Sequence, residues 1–202
     1  MTDFFKTFII LWAVIDPIGT IPVFLEATKS FDEPTKRKVA IRAPLIAFGI
    51  LLFFIVIGQI IMEAMLISLP AFQVSGGVVL FLFSLTMIFG EGKPEEEKHM
   101  IKDYQHVLVF PLAMPSIASP GAIMGVVLLT DNHVYTVWQQ FLTTMVVTLV
   151  ILTTMIMLLG ARKIQDRIGE TGITVISKIM GLILASVAVE SILNGLKEYF
   201  HL

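Results

Sequence analysis

Residues 11–25 read LWAVIDPIGTIPVFL: an aspartate, a proline and a glycine interrupt a stretch that is otherwise apolar and long enough to cross a membrane. A second interruption, Ser119-Pro120-Gly121, follows 103 residues later inside another apolar stretch. In hydrocarbon a broken helix leaves amides and carbonyls without partners. That is tolerated only where the break is enclosed by protein or lines a cavity or bound solute. The two breaks therefore mark the expected working site.

The rest of the chain fits a membrane setting. It has 202 residues, 56% of them hydrophobic and only 15% charged, with a mean hydropathy of +0.88, too apolar for an ordinary water-soluble domain. The fold class is an all-α membrane protein. Fourteen basic against 16 acidic residues give no footprint for nucleic acid. With no cysteine, disulfides, thiol catalysis and thiolate metal sites are excluded. His99, His106, His133 and His201 lie in connections or near the chain ends, without metal-site spacing, and nothing calls for a cofactor. The first apolar stretch has no clear small-residue cleavage signal and is longer than a signal-peptide core, so it is read as a retained span.

At about 20 apolar residues per crossing, six spans are expected, near residues 4–25, 43–64, 72–90, 105–129, 139–160 and 173–196. Connections one, three and five hold eleven basic residues: Lys29, Lys36, Arg37, Lys38, Arg42, Lys93, Lys98, Lys102, Arg162, Lys163 and Arg167. The opposite side has only Lys6 and Lys197, while Lys178 can snorkel back to the basic side. The basic connections are accordingly expected in the cytoplasm of a plasma-membrane protein, with both termini outside.

Three spans on each side of the charged linker 91–104 divide the chain into halves, 1–90 and 105–202, that enter the membrane in opposite senses. Pro17 to Gly77 is 60 residues and Pro120 to Gly181 is 61, so each half has a break in its first span and a glycine in its third. Inverted three-helix repeats with broken helices are an architecture of many secondary transporters.

Asp16-Pro17 and Ser119-Pro120 share one grammar, a side chain that accepts from orphan amides followed by a proline where no donor is needed. A half-helix N-terminus carries about half a positive charge, so two of them suit a carboxylate, received near Gly19 and Thr20 and near Gly121 and Ala122. Two readings of Asp16 stand. It caps its own half-helix, or it reaches into a cavity to hold an ammonium group or exchange a proton. Gly76, Gly77 and Gly181 also have two readings, close helix packing or contact with solute. Glu190 is a second acid, either a proton-handling gate or a group reaching the interface. The linker, rich in both charge signs, reads as solvated.

The segments LWAVIDPIGTIPVFL, FQVSGGVVLFLFSLTM (72–87) and FPLAMPSIASPGAI (110–123) resemble the three signature regions of the MarC family of integral membrane proteins, which includes small neutral amino-acid transporters of the SnatA type. The resemblance covers nearly the whole chain. It implies six spans and outward transport of alanine, threonine, serine or glycine. It maps the family's broken-helix motifs onto Asp16, Pro17, Ile18 and Gly19 and onto Ser119, Pro120, Gly121 and Ala122. A serine at 119, where the pattern has glycine, is a departure. The expected partners are a small neutral amino acid, protons or sodium, and the lipid bilayer. Rival readings are a structural or regulatory membrane protein, an intramembrane acid protease lacking a near partner for Asp16, and a channel without a filter sequence.

Overall fold

A computed structural model of the chain describes residues 2–89 and 104–200. The linker assigned to 91–104 lies, apart from Tyr104, outside the described residues, as do Lys93, Lys98, Lys102, His99 and His201. Every regular element among the described residues is helical.

The first span, Phe4–Ala27, reads through as one crossing but consists of α1 (Thr2–Ile15) and α2 (Thr20–Ala27). The second is α3 (Glu33–Ala64), which starts ten residues before the apolar stretch. Asp32 precedes it in extended conformation and Pro34 follows in its first turn, so the helix begins in the polar connection. The Thr35 hydroxyl beside Asp32 holds its carboxyl below the usual carboxylate range. The third span is α4 (Leu69–Phe89). The fourth comprises α5 (Tyr104–Val107), a wide-turned segment Leu108–Ile117 and α6 (Pro120–Leu129), and its two arms are bent by 57°. Phe110 and Met114, each before a proline, are extended rather than helical, as the clash with the following proline ring favours. Both Phe110-Pro111 and Met114-Pro115 are cis. The fifth span is α7 (Val137–Leu159), entered through a reciprocal cap in which Thr136 and Gln139 satisfy each other's backbone.

The last element, α8 (Ala161–Phe200), departs from expectation. Residues 161–172 read as a polar connection, yet the chain is helical from Ala161 and breaks only at Gly169, whose φ of 74° suits glycine alone. Arg162, Lys163, Asp166 and Arg167 are exposed while Ala161 is buried. Charges at 162, 163, 166 and 167 share one side of a short amphipathic turn that lies ahead of the true span, Thr171–Tyr199.

Spans from before and after the linker pack on each other. The α1–α2 pair meets Leu108–Ile117 and α6, α3 meets α7, and α4 meets α8 in the most extensive contact of the molecule. In addition α3 packs against Leu108–Ile117 and α1 against α7. The centre of the core is the fully buried set Leu11, Ile15, Ile21, Leu51, Leu112 and Ile117, contributed by both broken spans and α3.

The α4–α8 contact depends on small residues. A methyl at Gly77 would lie 2.6 Å from Ile192 Cγ1 and 3.0 Å from the Ala188 carbonyl, and one at Gly181 would lie 2.9 Å from Met87 Cβ and 3.1 Å from the Ser84 carbonyl. Backbone this close admits only glycine without pushing the helices apart.

Candidate functional site

The first break begins where α1 ends. Asp16 N–H still bonds back to the Trp12 carbonyl at 2.9 Å, but Asp16 itself takes φ = 47°, the left-handed region where aspartate and asparagine are the best-tolerated residues after glycine. That turn swings its carboxylate over the chain that follows. Asp16 Oδ1 accepts from Gly19 N–H at 3.0 Å. The Asp16 carbonyl accepts from Thr20 N–H at 3.1 Å and from the Thr20 hydroxyl at 3.0 Å. Asp16 is buried, as are Pro17 and Thr20, while Ile18 is half-buried against the core. Asp16 thus accepts one amide in the turn that leads into α2, but the helix itself begins at Thr20 with Gly19 as its N-cap, so Pro17 stands in the left-handed turn that Asp16 opens and not at the expected first helical position. The amides of Gly19 and Thr20, expected to meet a carboxylate, are occupied by Asp16 in this arrangement.

Gly19 has a further role. A methyl built there would overlap Asp16 Oδ2, so the carboxylate rests on the bare face of this residue. Glycine is required by close approach, since Gly19 has an ordinary helical backbone with φ near −67°.

The second break follows the expected grammar closely. Ser119 is extended with φ −65° and ψ 157°. Its Oγ accepts from Ala122 N–H at 3.0 Å, its carbonyl accepts from Ile123 N–H at 2.9 Å, and Pro120 fills the first helical position. Pro120 is exposed, whereas Gly121 and Ala122 are buried.

The two breaks meet. Ser119 Oγ also donates to the Val14 carbonyl at 3.0 Å across 105 residues of sequence. One hydroxyl therefore caps α6 and satisfies a carbonyl in the last turn of α1. Ser116 Oγ donates to Thr20 Oγ1 at 3.3 Å, and the Thr20 hydroxyl in turn donates to the Asp16 carbonyl. Val14 further packs against α6, 3.8 Å from a methyl built at Gly121 and 3.9 Å from one at Gly125. Thr20, Ser116 and Ser119 are fully buried and Asp16 is 3% exposed. A buried polar group needs partners, and two of the bonds these residues make, Ser116 to Thr20 and Ser119 to Val14, cross between the two breaks. Sequence reasoning named Asp16, Thr20 and Ser119 but missed Ser116 and the Val14 carbonyl. No local pattern marks either.

Other expected residues lie apart. Gly76 faces the second break's helix, where a methyl would overlap the Met124 terminal methyl, while Gly77 and Gly181 sit in the α4–α8 contact. Glu190 is exposed on α8 and accepts from Asn194 Nδ2 at 3.1 Å. A cleft lies away from the breaks, lined by Phe4 and Thr7 of α1 with Leu129, Tyr135, Gln139 and Thr143. Thr7 is nine residues before Asp16, roughly 13 Å along a helix. No group of three or more histidine, aspartate or glutamate side chains that could hold a metal occurs among the described residues.

These features, two cap-proline breaks in separate apolar spans that close on one another, extend across the chain. So does its likeness to known proteins. It is 34% identical over 207 residues to a UPF0056 membrane protein of Pyrococcus horikoshii, covering 99% of each chain. It is 32% identical over 197 residues to one of Methanocaldococcus jannaschii, covering 96% of each. With one of Aquifex aeolicus it shares 32% identity over 199 residues, 96% of this chain and 92% of the relative. No solved structure matches. The family model described as MarC family integral membrane protein matches residues 1–200, and this multi-pass helical protein belongs to the MarC family.

Proposed function

We propose that the protein is a secondary transporter of small neutral amino acids such as alanine, threonine, serine or glycine, exporting them across the plasma membrane by alternating access. The observation that carries this reading is the bond from Ser119 Oγ to the Val14 carbonyl, which joins two mid-span breaks around buried polar groups. Such breaks, facing one another between repeats, are where secondary carriers hold solute. The matched packing of corresponding spans supports an inverted repeat of 1–90 and 105–202.

In this reading the described arrangement is a closed one. Asp16 already neutralises the start of α2, so the solute carboxylate goes to the first turn of α6, to Gly121 N–H and to Ala122 N–H as Ser119 yields it. Asp16 then meets the solute ammonium, and the close packing of Gly19, Gly121 and Thr20 favours a small side chain. Asp16, with Glu190 less directly, is the candidate for coupling to protons. The protein acts as a carrier rather than an enzyme, with its basic connections in the cytoplasm and both termini outside.

Counterflow tests this. Vesicles containing the purified protein and loaded with unlabelled alanine should take up radiolabelled alanine, threonine and glycine above empty vesicles. Exchange no faster than in empty vesicles, for every small neutral amino acid tried, would leave the reading without support and favour a structural role.

A further inference from the structure

Leu80, on α4, covers the start of the second half-helix. A methyl built at Gly121 would lie 2.7 Å from Leu80 Cδ1, with Ser119 Oγ and Val14 Cγ1 each 3.8 Å away. In a helix the Cα–Cβ direction tilts toward the N-terminus. The space above Gly121 is therefore beside the first turn of α6, where the solute carboxylate is proposed to bind. Leu80 fills it, and its side chain is buried there.

The contact is reciprocal. One turn further along α6, the terminal methyl of Met124 enters the space left bare by Gly76, one turn before Leu80 on α4. Each helix thus offers the other a glycine and a long side chain. Leu80 Cδ1 and Met124 Cε, the atoms in closest approach, are both side-chain ends. Rotation about side-chain bonds moves such atoms between staggered positions without shifting the backbone.

Against α8 the same helix is held differently. Methyls at Gly77, Gly181 and Gly195 would lie 3.0, 3.1 and 3.0 Å from the carbonyls of Ala188, Ser84 and Pro70. The pairings 70 with 195, 77 with 188 and 84 with 181 recur every seven residues along an antiparallel pair of helices. Here backbone meets backbone, and no side-chain end can give way. So α4 is fixed along α8, while its contact with α6 yields at Leu80 and Met124.

From this arrangement we infer that Leu80 is the gate and size filter of the proposed solute site. Its side chain closes the first turn of α6 and turns aside for a solute whose own side chain fits the room it frees. The gate rests on the carrier reading and names the residue that regulates that site. Because α4 is fixed on α8, Leu80 makes room by rotation, which shifts its terminal methyls but keeps its Cβ in place. The space so freed suits glycine, alanine, serine or threonine and is too small for leucine.

Counterflow of two solutes tests the gate. Vesicles containing the parent protein should exchange radiolabelled alanine, and leucine much more slowly. A change of one or more methylenes in an apolar pocket alters discrimination by roughly 10- to 200-fold, so Leu80→Ala should raise the leucine-to-alanine ratio by about tenfold or more. Leu82→Ala, at an exposed position on α4, should leave the ratio as it is in the parent. Leu80→Val removes less and should give an intermediate ratio, which keeps the test open where Leu80→Ala does not stay folded in detergent. A ratio unmoved in folded Leu80→Ala or Leu80→Val protein, or moved equally by Leu82→Ala, overturns the gate and leaves the carrier reading standing. A parent protein that exchanges leucine as fast as alanine does the same. A parent protein that exchanges no amino acid overturns the carrier reading, and the gate with it.

Discussion

Gly19→Ala should be among the most damaging single-methyl changes in this chain. The added carbon would occupy the space of Asp16 Oδ2, so the carboxylate must leave its position over α2 or α2 must shift. Neither is easy where Asp16, Pro17 and Thr20 are all buried. Displacing the carboxylate strips the partly buried Gly19 N–H of its acceptor, and overpacking adds strain. Together these should lower stability by about 2–4 kcal/mol. A thermal or denaturant unfolding series in detergent reads this directly, and double substitution with Asp16→Ala should recover part of the loss because the obstruction is gone. A Gly19→Ala protein as stable as the parent would show that the carboxylate does not rest there.

Asp16→Asn separates structure from function at the same residue. Asparagine tolerates the left-handed backbone at φ = 47°, and its side-chain oxygen can still accept from Gly19 N–H. Stability should therefore stay within about 1 kcal/mol of the parent. What is lost is the negative charge that the proposed mechanism assigns to the solute ammonium. A charged hydrogen bond contributes about 1.5–3 kcal/mol, so counterflow should fall roughly 10- to 100-fold. Intact unfolding with collapsed exchange supports a solute-facing Asp16, whereas unchanged exchange reduces Asp16 to a cap.

The parts of this molecule that were legible in its sequence are those whose chemistry is local. Asp16-Pro17 and Ser119-Pro120 announce their breaks because a cap and a proline act within one turn. The apolar stretches announce their spans because bilayer thickness sets their length. The connection 161–172 precedes the last span as expected, but its helical form up to the break at Gly169 is not visible when only the polar side of the charge run at 162–167 is counted. Gly77 and Gly181 were visible as glycines, but whether they meet a neighbouring helix or a solute depends on which helix lies opposite. The link between the breaks could not be read at all. Ser116 meets Thr20 across 96 residues and Ser119 meets Val14 across 105, and the Val14 acceptor is a backbone oxygen that every residue has. Gln59 reaching Asn132 and His133 has the same character, for nothing near residue 59 indicates a loop more than 70 residues on.

The proposed site exists only where the two breaks touch, and disulfide trapping reads that contact directly. The Thr20 and Ser116 hydroxyls are 3.3 Å apart, so cysteines at these two positions face one another across the breaks. In the cysteine-free background, Thr20→Cys with Ser116→Cys should cross-link under mild oxidation in native membranes. After cleavage at a protease site placed between the halves, the fragments should stay joined until reduced, while Thr20→Cys paired with Thr86→Cys on the exposed side of α4 should not. Fragments that separate without reductant in the first pair, or remain joined equally in both, would contradict a site built from the meeting of the two broken spans.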